Sequence, residues 1–291
     1  MFPDDDMEQA NWEESYMKTR SQVPFIQVED VDSLKLVHEL KSKGVTRLNS
    51  VLSELQVETL RDYILTELRT CANMVNDGTV ASSELFGNIK MSDEARWDLK
   101  LPYESPIVSD ILHSILKKGS ILGDTLQGVT DKNGGGEFYE LSTFVTTTGA
   151  KRQVIHSDTL WSVLPTLFTV TIALQDTDQT MGPTVFIPDT ISEDVYIKRV
   201  YDHWTEPLKT PHMFSDLNAG DAAIYDSRLL HCGGANRSRD KPARILFYFT
   251  VRYAPKSSKM VDKAHGLHDT SIRDEKKKER GGVALNLKDF L

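Results

Sequence analysis

Cysteine is scarce: only Cys71 and Cys232 occur in 291 residues. They show neither zinc-site spacing nor a disulfide framework, which favours a reducing compartment, so a cytoplasmic protein is expected. Long apolar runs are missing too. None approaches the 18 residues that a membrane-spanning helix needs, so no membrane span is expected. There is no excess of positive charge. With 34 Lys and Arg against 43 Asp and Glu, the formal charge is −9, which argues against nucleic acid and leaves a small molecule as the expected partner. The opening MFPDDDMEQANWEES is acidic where targeting peptides are basic, so no address is read there. No internal repeat is found, and a monomer is expected.

What remains reads as an ordinary globular chain, 39% apolar and 26% charged. Residues 1–30 are acidic and aperiodic, an arm. In VDSLKLVHELKSKG, Leu34, Val37 and Leu40 recur at helical spacing and Gly44 marks the stop. VTRLNSV alternates as a short strand. Ser53 and Gln56 fit a capping box ahead of an apolar stripe of Val57, Leu60, Ile64 and Leu68. RWDLKLP predicts an edge strand ended by Pro102, and another helix follows Pro106. After the glycine-rich turn DKNGGGE the chain becomes strongly β: EFYELSTFVTTT, then QVIHSD as a predicted strand, TLFTVTIALQD, VFIP, GDAAIYDS running on to His231, and ARILFYFTVRYA. A polar or helical insertion interrupts this series from Ser192 to about His212.

The pattern predicts a mainly β fold with helical support. Its core would be a curled two-sheet sandwich of the jelly-roll, or double-stranded β-helix, type flanked by N-terminal α-helices. The expected layout is a single domain over residues 31–255, with helical support at 31–120 and the β core at 137–255. A charged tail or lid follows at 256–291.

Chemistry enters with His156-Ser157-Asp158. In a strand, side chains two apart leave one face, so imidazole and carboxylate can grip one ion together. Alone the pair says little, since 8 histidines and 43 acidic residues supply about one such spacing by chance. The third ligand is expected from His231, in YDSRLLHCGGANRS. Two histidines and a carboxylate with open positions form the facial arrangement of non-haem Fe(II) oxygenases. Arg244 lies 13 residues beyond His231, where a hairpin returns it to the metal mouth. Its guanidinium suits a small dicarboxylate such as 2-oxoglutarate, or else pairs with a protein carboxylate. Arg96, Asp98 and Lys100 share one strand face. That face is either solvated or offers Arg96 and Lys100 to a carboxylate-bearing substrate. Trp161 either stacks on substrate or packs at the strand end.

These motifs together resemble the phytanoyl-CoA dioxygenase-like branch of the Fe(II)/2-oxoglutarate-dependent oxygenases over roughly residues 44–253. The likeness is carried by RWDLKLP, ELSTFVTTTGAKRQVIHSDTLW, TIALQDTDQTMGPTVFIP, and GDAAIYDSRLLHCGGANRS with Arg244 after it. The resemblance implies His156, Asp158 and His231 as iron ligands, Arg244 as the 2-oxoglutarate clamp, O2 as second cosubstrate, and Thr143 and Gln153 as further cosubstrate contacts. The chain departs from the pattern at FIPDTI, where many relatives read Pro-Gly-Ser/Thr-His, and at Gly233, where some have a serine. Asp158 argues against halogenation, because related halogenases carry a small residue there to admit chloride.

The implied reaction oxidises a C–H bond of a small organic acid or amino-acid-derived metabolite, by hydroxylation, desaturation or ring closure. Oxidative cyclases of the algal kainoid type and phytanoyl-CoA-like acyl hydroxylases are alternatives. Two readings from other classes compete: a metal-binding β-sandwich sensor, for which Arg244 would have no use, and a zinc hydrolase, for which no general-base glutamate sits at a diagnostic spacing.

Overall fold

The computed structural model describes residues 32–87, 95–130, 136–165, 167–201, 212–241 and 243–253, together with Leu287 and Phe290. In chain order its elements are α1 (Ser33–Lys43), β1 (Val45–Leu48), α2 (Glu54–Asn76), α3 (Ser82–Leu85), β2 (Arg96–Lys100), α4 (Pro106–Leu116), α5 (Ile121–Val129), β3 (Gly136–Thr146), β4 (Leu167–Ala173), β5 (Thr184–Phe186), α6 (Glu193–Tyr201), β6 (Met213–Phe214), β7 (Ala222–Asp226), β8 (His231–Gly233) and β9 (Arg244–Tyr253). The expected acidic arm, the glycine-rich turn at 131–135, the later part of the insertion at 202–211 and the tail over 254–286 lie outside the described residues.

Local signals set the helix ends. Asp32 caps α1 by accepting from the Lys35 amide, and Gly44 closes it at φ +84°. A Cβ at Gly44 would sit 2.7 Å from Leu229 Cδ1, so both backbone angle and space call for glycine. Ser53 and Gln56 form both halves of the capping box of α2. The buried stripe of α1 is Leu36 and Leu40, whereas Leu34 is 77% exposed. Two residues turn a helix by about 200°, so Leu34 and Leu36 cannot share a face. In α2, Val57, Leu60 and Ile64 are buried as the spacing predicts.

A six-stranded antiparallel sheet, ordered β1-β7-β4-β9-β3-β2, forms the main layer, and a three-stranded sheet, β6-β5-β8, faces it. Alternation along β9 divides the interior in two. Ile245, Phe247, Phe249 and Val251 face the helices with Val170, Ile172, Ile224 and Leu99. Leu246 faces the other way, into a smaller cluster with Phe186, Met213, Ala223 and Tyr225 between the sheets. Each fully buried large side chain contributes about 1.5–3 kcal/mol, so the helix-side cluster is the thermodynamic base on which the inter-sheet face rests. Among the described residues, no helix is long and apolar enough to cross a membrane.

Two local expectations change. QVIHSD is not a regular strand: His156 makes a single bridge with His231, through Nα–H donations to each other's carbonyls at 2.9 and 2.8 Å. The strand predicted to reach His231 ends at Asp226, and His231 opens a new one. Near the C-terminus, Leu287 and Phe290 are buried in the helix-side cluster, with the Phe290 ring 5.3 Å from that of Phe138 and 4.8 Å from that of His113. These two residues of the expected tail or lid therefore sit on the side away from the inter-sheet face.

Candidate metal centre and active site

The minor sheet places the first two donors. Its strand β8 begins at His231, and the bridge to His156 sets the two imidazoles 4.6 Å apart between centroids. Each ring is tied to its own backbone: His156 Nδ1 lies 2.8 Å from the Val154 carbonyl, and His231 Nδ1 lies 3.0 Å from the Leu229 carbonyl. A carbonyl can only accept, so Nδ1 carries the proton in both rings and Nε2 presents a lone pair.

Asp158 completes the set. Its backbone amide donates to the Ser227 carbonyl at 2.8 Å, and its Oδ1 stands 3.7 Å from His156 Nε2 and 3.5 Å from His231 Nε2. One ligand atom from each of the three residues lies within 4.8 Å of the others. The two rings are buried, and the Asp158 side chain is 30% exposed, which leaves one side of the cluster open. Two neutral imidazole nitrogens and one carboxylate oxygen on one face suit a divalent first-row metal with vacant positions. Tyr225, from β7, donates to Asp158 Oδ2 at 3.3 Å and fixes which oxygen turns to the histidines. Burial, reinforced by the Asp158 charge, holds the Tyr225 phenol well above its usual range, so it stays a donor.

Arg244 opens β9 on the inter-sheet face, 3% exposed. It donates to the Gly182 carbonyl and, at 3.5 Å, to Thr146 Oγ1 on β3, directly opposite in register. Arg96, on the edge strand β2, is also buried and turned inward. It donates to the carbonyls of Lys151 at 2.5 Å and Gly234 at 2.7 Å. The reading of its strand face as solvated is thereby corrected for Arg96: β2 is an edge strand, but the loop carbonyls of Lys151 and Gly234 cover this side chain. Asp98, two residues on, is 2% exposed and accepts from Tyr248 at 2.9 Å.

Gln153 accepts from the Gly233 amide at 2.8 Å. A Cβ on Gly233 would meet Gln153 Oε1 at 2.7 Å and Arg96 Nη1 at 3.0 Å, so glycine at this position makes room for those two polar groups. Three guanidiniums, of Arg152, Arg96 and Arg244, bear on the neighbouring Cys232, opposing the burial that pushes its thiol upward.

Not every predicted residue gathers here. Thr143 pairs with Phe247 and Leu99, both in the helix-side cluster, and its hydroxyl donates to the Leu246 carbonyl at 3.1 Å. It therefore points away from Arg244, and the inter-sheet positions of β3 are Ser142, Phe144 and Thr146. Lys100 leans outward, donating to the Ser83 carbonyl at 2.6 Å. Trp161 is half-buried in a loop that also exposes Leu160, Val163 and Leu164. The residues not anticipated are Tyr225 and Arg152. A tyrosine in the otherwise apolar run AAIY was the available signal for the first.

Comparison with known proteins agrees with this geometry. The family model described as phytanoyl-CoA dioxygenase (PhyH) matches residues 40–245. No curated protein matches the chain by sequence. Among solved structures, the non-heme alpha ketoglutarate dependent epimerase SnoN from nogalamycin biosynthesis aligns with a TM-score of 0.51 at 15% identity, over 80% of this chain and 90% of its own. The carbocyclase SnoK from the same biosynthesis aligns at 0.52 and 17%, over 78% and 88%. HygX from Streptomyces hygroscopicus, with nickel and 2-oxoglutarate bound, aligns at 0.51 and 12%, over 75% and 86%. At these identities the structures speak to the fold. The family match spans well over half of the chain, and the protein belongs to the phytanoyl-CoA dioxygenase family.

Proposed function

We propose that the protein is an Fe(II)/2-oxoglutarate-dependent oxygenase that oxidises a C–H bond of a small, polar organic metabolite. The observation that carries this reading is the convergence of His156 Nε2, His231 Nε2 and Asp158 Oδ1, with both Nδ1–H groups turned back to the main chain. The donor set fits Fe(II), which with 2-oxoglutarate and O2 supplies oxidising power as the cosubstrate is converted to succinate and CO2.

The chain's own residues bind and orient. His156, Asp158 and His231 hold the metal from one side, and Tyr225 keeps the carboxylate turned toward it. Arg244 receives the far carboxylate of 2-oxoglutarate, exchanging its neutral acceptor, the Gly182 carbonyl, for a charged one. Gln153 and Arg96 stand over Gly233, two residues beyond a ligand, and narrow the space around the cosubstrate. The inter-sheet layer of Phe186, Tyr225 and Leu246 excludes water.

An anaerobic titration tests the proposal. Adding 2-oxoglutarate to the Fe(II)-loaded protein is expected to produce a weak visible charge-transfer band, and under O2 to yield succinate. Metal binding with no band and no 2-oxoglutarate consumption would instead indicate a metal-binding sensor or structural site.

A further inference from the structure

Among the described residues, the large apolar side chains that stand exposed are not scattered evenly. Seven do so, and four of them flank the ligands His156 and Asp158: Val154, Leu160, Val163 and Leu164, at 43, 51, 81 and 53%. A lone exposed leucine needs no account, whereas a cluster beside a functional opening does. Val154 lies two residues before His156 and gives its carbonyl to that ring, and Leu160 lies two residues after Asp158. Two residues of chain span at most about 7 Å, so both stand beside the metal site. Leu160 follows the ligand through which the site is open, since the Asp158 side chain is 30% exposed against 9 and 7% for the two histidines.

The loop that carries Leu160, Val163 and Leu164 is pinned at both feet and in the middle. The Asp158 and Thr159 amides donate to the Ser227 carbonyl at 2.8 and 3.1 Å, and the Thr159 and Ser227 hydroxyls lie 2.9 Å apart. At the other foot, the Ser227 amide donates to the Leu167 carbonyl at 3.0 Å. Arg228 holds the middle: its guanidinium donates to both Asp226 carboxylate oxygens, at 3.0 and 2.7 Å, and to the Ser162 carbonyl at 2.6 Å. Ser227 and Arg228 belong to the segment between β7 and β8 that leads into His231. The loop is therefore fixed against the third ligand as well as the first two. Apolar side chains kept in water in one conformation gain free energy when something covers them. A surface continuous with the open side of a metal site is covered by what that site binds, because a protein seated there would shut the metal off from its substrate.

We infer that Leu160, Val163 and Leu164, with the half-buried Trp161 between them, form an apolar lip that grips a hydrocarbon portion of the substrate and so determines which substrates enter. The inference rests on the oxygenase reading and extends it. The substrate is amphiphilic: its polar part goes to the metal, and a chain or ring of several carbons lies outward across the lip. Hydrocarbon on the lip fixes how far the molecule enters, and thereby which C–H bond reaches the metal.

The test uses the full chain loaded with Fe(II) and 2-oxoglutarate, without O2. Its probes are 1-alkanols from butanol to decanol and the α,ω-diols of the same lengths, which carry a second hydroxyl out to the lip. Binding is read from the fluorescence of Trp161, isolated by difference from Trp161→Phe. The half-saturating alkanol concentration is expected to fall about two- to fourfold with each added methylene, the range for partial to full burial of that group. Diols of equal length should bind more weakly. Val163→Ser combined with Leu164→Ser should flatten the dependence on length, and both side chains are exposed, so the melting temperature should stay near that of the parent. Affinity that ignores chain length overturns the inference, as does a length dependence that survives the double substitution. A dimer, or binding to phosphatidylcholine vesicles, that the double substitution abolishes would assign the lip to a second copy or to a lipid surface and overturn it too. The fluorescence does not depend on the charge-transfer band, so a missing band beside an intact length dependence counts against the oxygenase reading alone.

Discussion

Tyr225 donates its phenolic hydrogen to Asp158 Oδ2 at 3.3 Å, and Asp158 Oδ1 faces the two histidines. One hydroxyl from the main sheet thus decides how a carboxylate on the minor-sheet side meets the metal. Removing such a supporting hydrogen bond commonly costs 10- to 100-fold in metal affinity. Tyr225→Phe is expected to lower Fe(II) or Co(II) affinity about tenfold in a competitive titration. The ring would stay packed against Phe186, 5.1 Å away, so the melting temperature should change little. Unchanged metal affinity would show that Asp158 holds its orientation without the phenol.

Composition could not reveal that contact, and the reason is physical. The ligand motif was legible because spacing within one short segment survives any register. Which face of a strand a residue occupies depends on pairing partners far away in sequence, and a slip of one residue reverses it. Thr143 and Ser142 are adjacent threonine and serine in a strand that sequence identifies readily, yet only the pairing with Phe247 and Tyr248 shows that Thr143 faces the helices. Arg96 and Asp98 look solvated for the same reason: their alternation is visible, but not the segments that close over them. The QVIHSD segment carries β propensity, yet its pairing is a single bridge between His156 and His231, a long-range contact that local propensity cannot specify. The helix caps were legible because they are local chemistry.

The three donors predict a metal-dependent stability. A ligand that binds only the folded state stabilises it by about 2.7 kcal/mol at one hundred times its dissociation constant. Thermal melting with excess Fe(II) or Co(II), without O2, should therefore shift upward by several degrees. His231→Ala removes one Nε2 donor and should abolish most of the shift. An equal shift in this variant would mean that the ion binds elsewhere.

Arg244 donates from a rigid fork to Gly182 and Thr146, a geometry that lysine cannot reproduce. Arg244→Lys and Arg244→Ala should both raise the half-saturating 2-oxoglutarate concentration, by at least tenfold, while the metal titration stays near that of the parent. A lost charge-assisted hydrogen bond is worth about 1.5–3 kcal/mol, which corresponds to that change. An unchanged 2-oxoglutarate requirement would remove Arg244 from the cosubstrate site.

The Gly182 carbonyl follows the short 3₁₀ turn Gln179–Met181, whose Thr180 and Met181 amides donate to the Asp178 carboxylate. The Lys241 ammonium, 2.7 Å away, and the Thr180 hydroxyl and amide hold the Asp178 carboxyl down to about 2, from 3.8. A carboxylate depressed in the folded state adds stability that is fully present above the unfolded value and is lost as pH falls through the folded one. The effect should be small, because Asp178 is 44% exposed and solvent screens the pair. Melting curves of the parent and Asp178→Asn should differ slightly above pH 4 and converge toward pH 2. A gap that widens on acidification would contradict the assignment.

Phe290 gives the sharpest test of how the end of the chain is used. Its ring lies among Phe138, His113 and Tyr103, at 5.3, 4.8 and 6.1 Å between centroids, and it is 6% exposed. Leu287, one helical turn earlier, is fully buried in the same cluster. Both residues cover α4 and the helix-facing side of β3, so they act on stability from the opposite side of the sheet to the metal. Phe290→Ala should cost about 3–5 kcal/mol, as truncating a buried aromatic does, read as a drop in the denaturant midpoint with little change in slope. Metal affinity and the 2-oxoglutarate requirement, measured well below the new melting temperature, should stay within twofold of the parent. If stability is unaffected while the 2-oxoglutarate requirement changes, the C-terminal segment works as a lid over the active site and its packing against α4 is incidental.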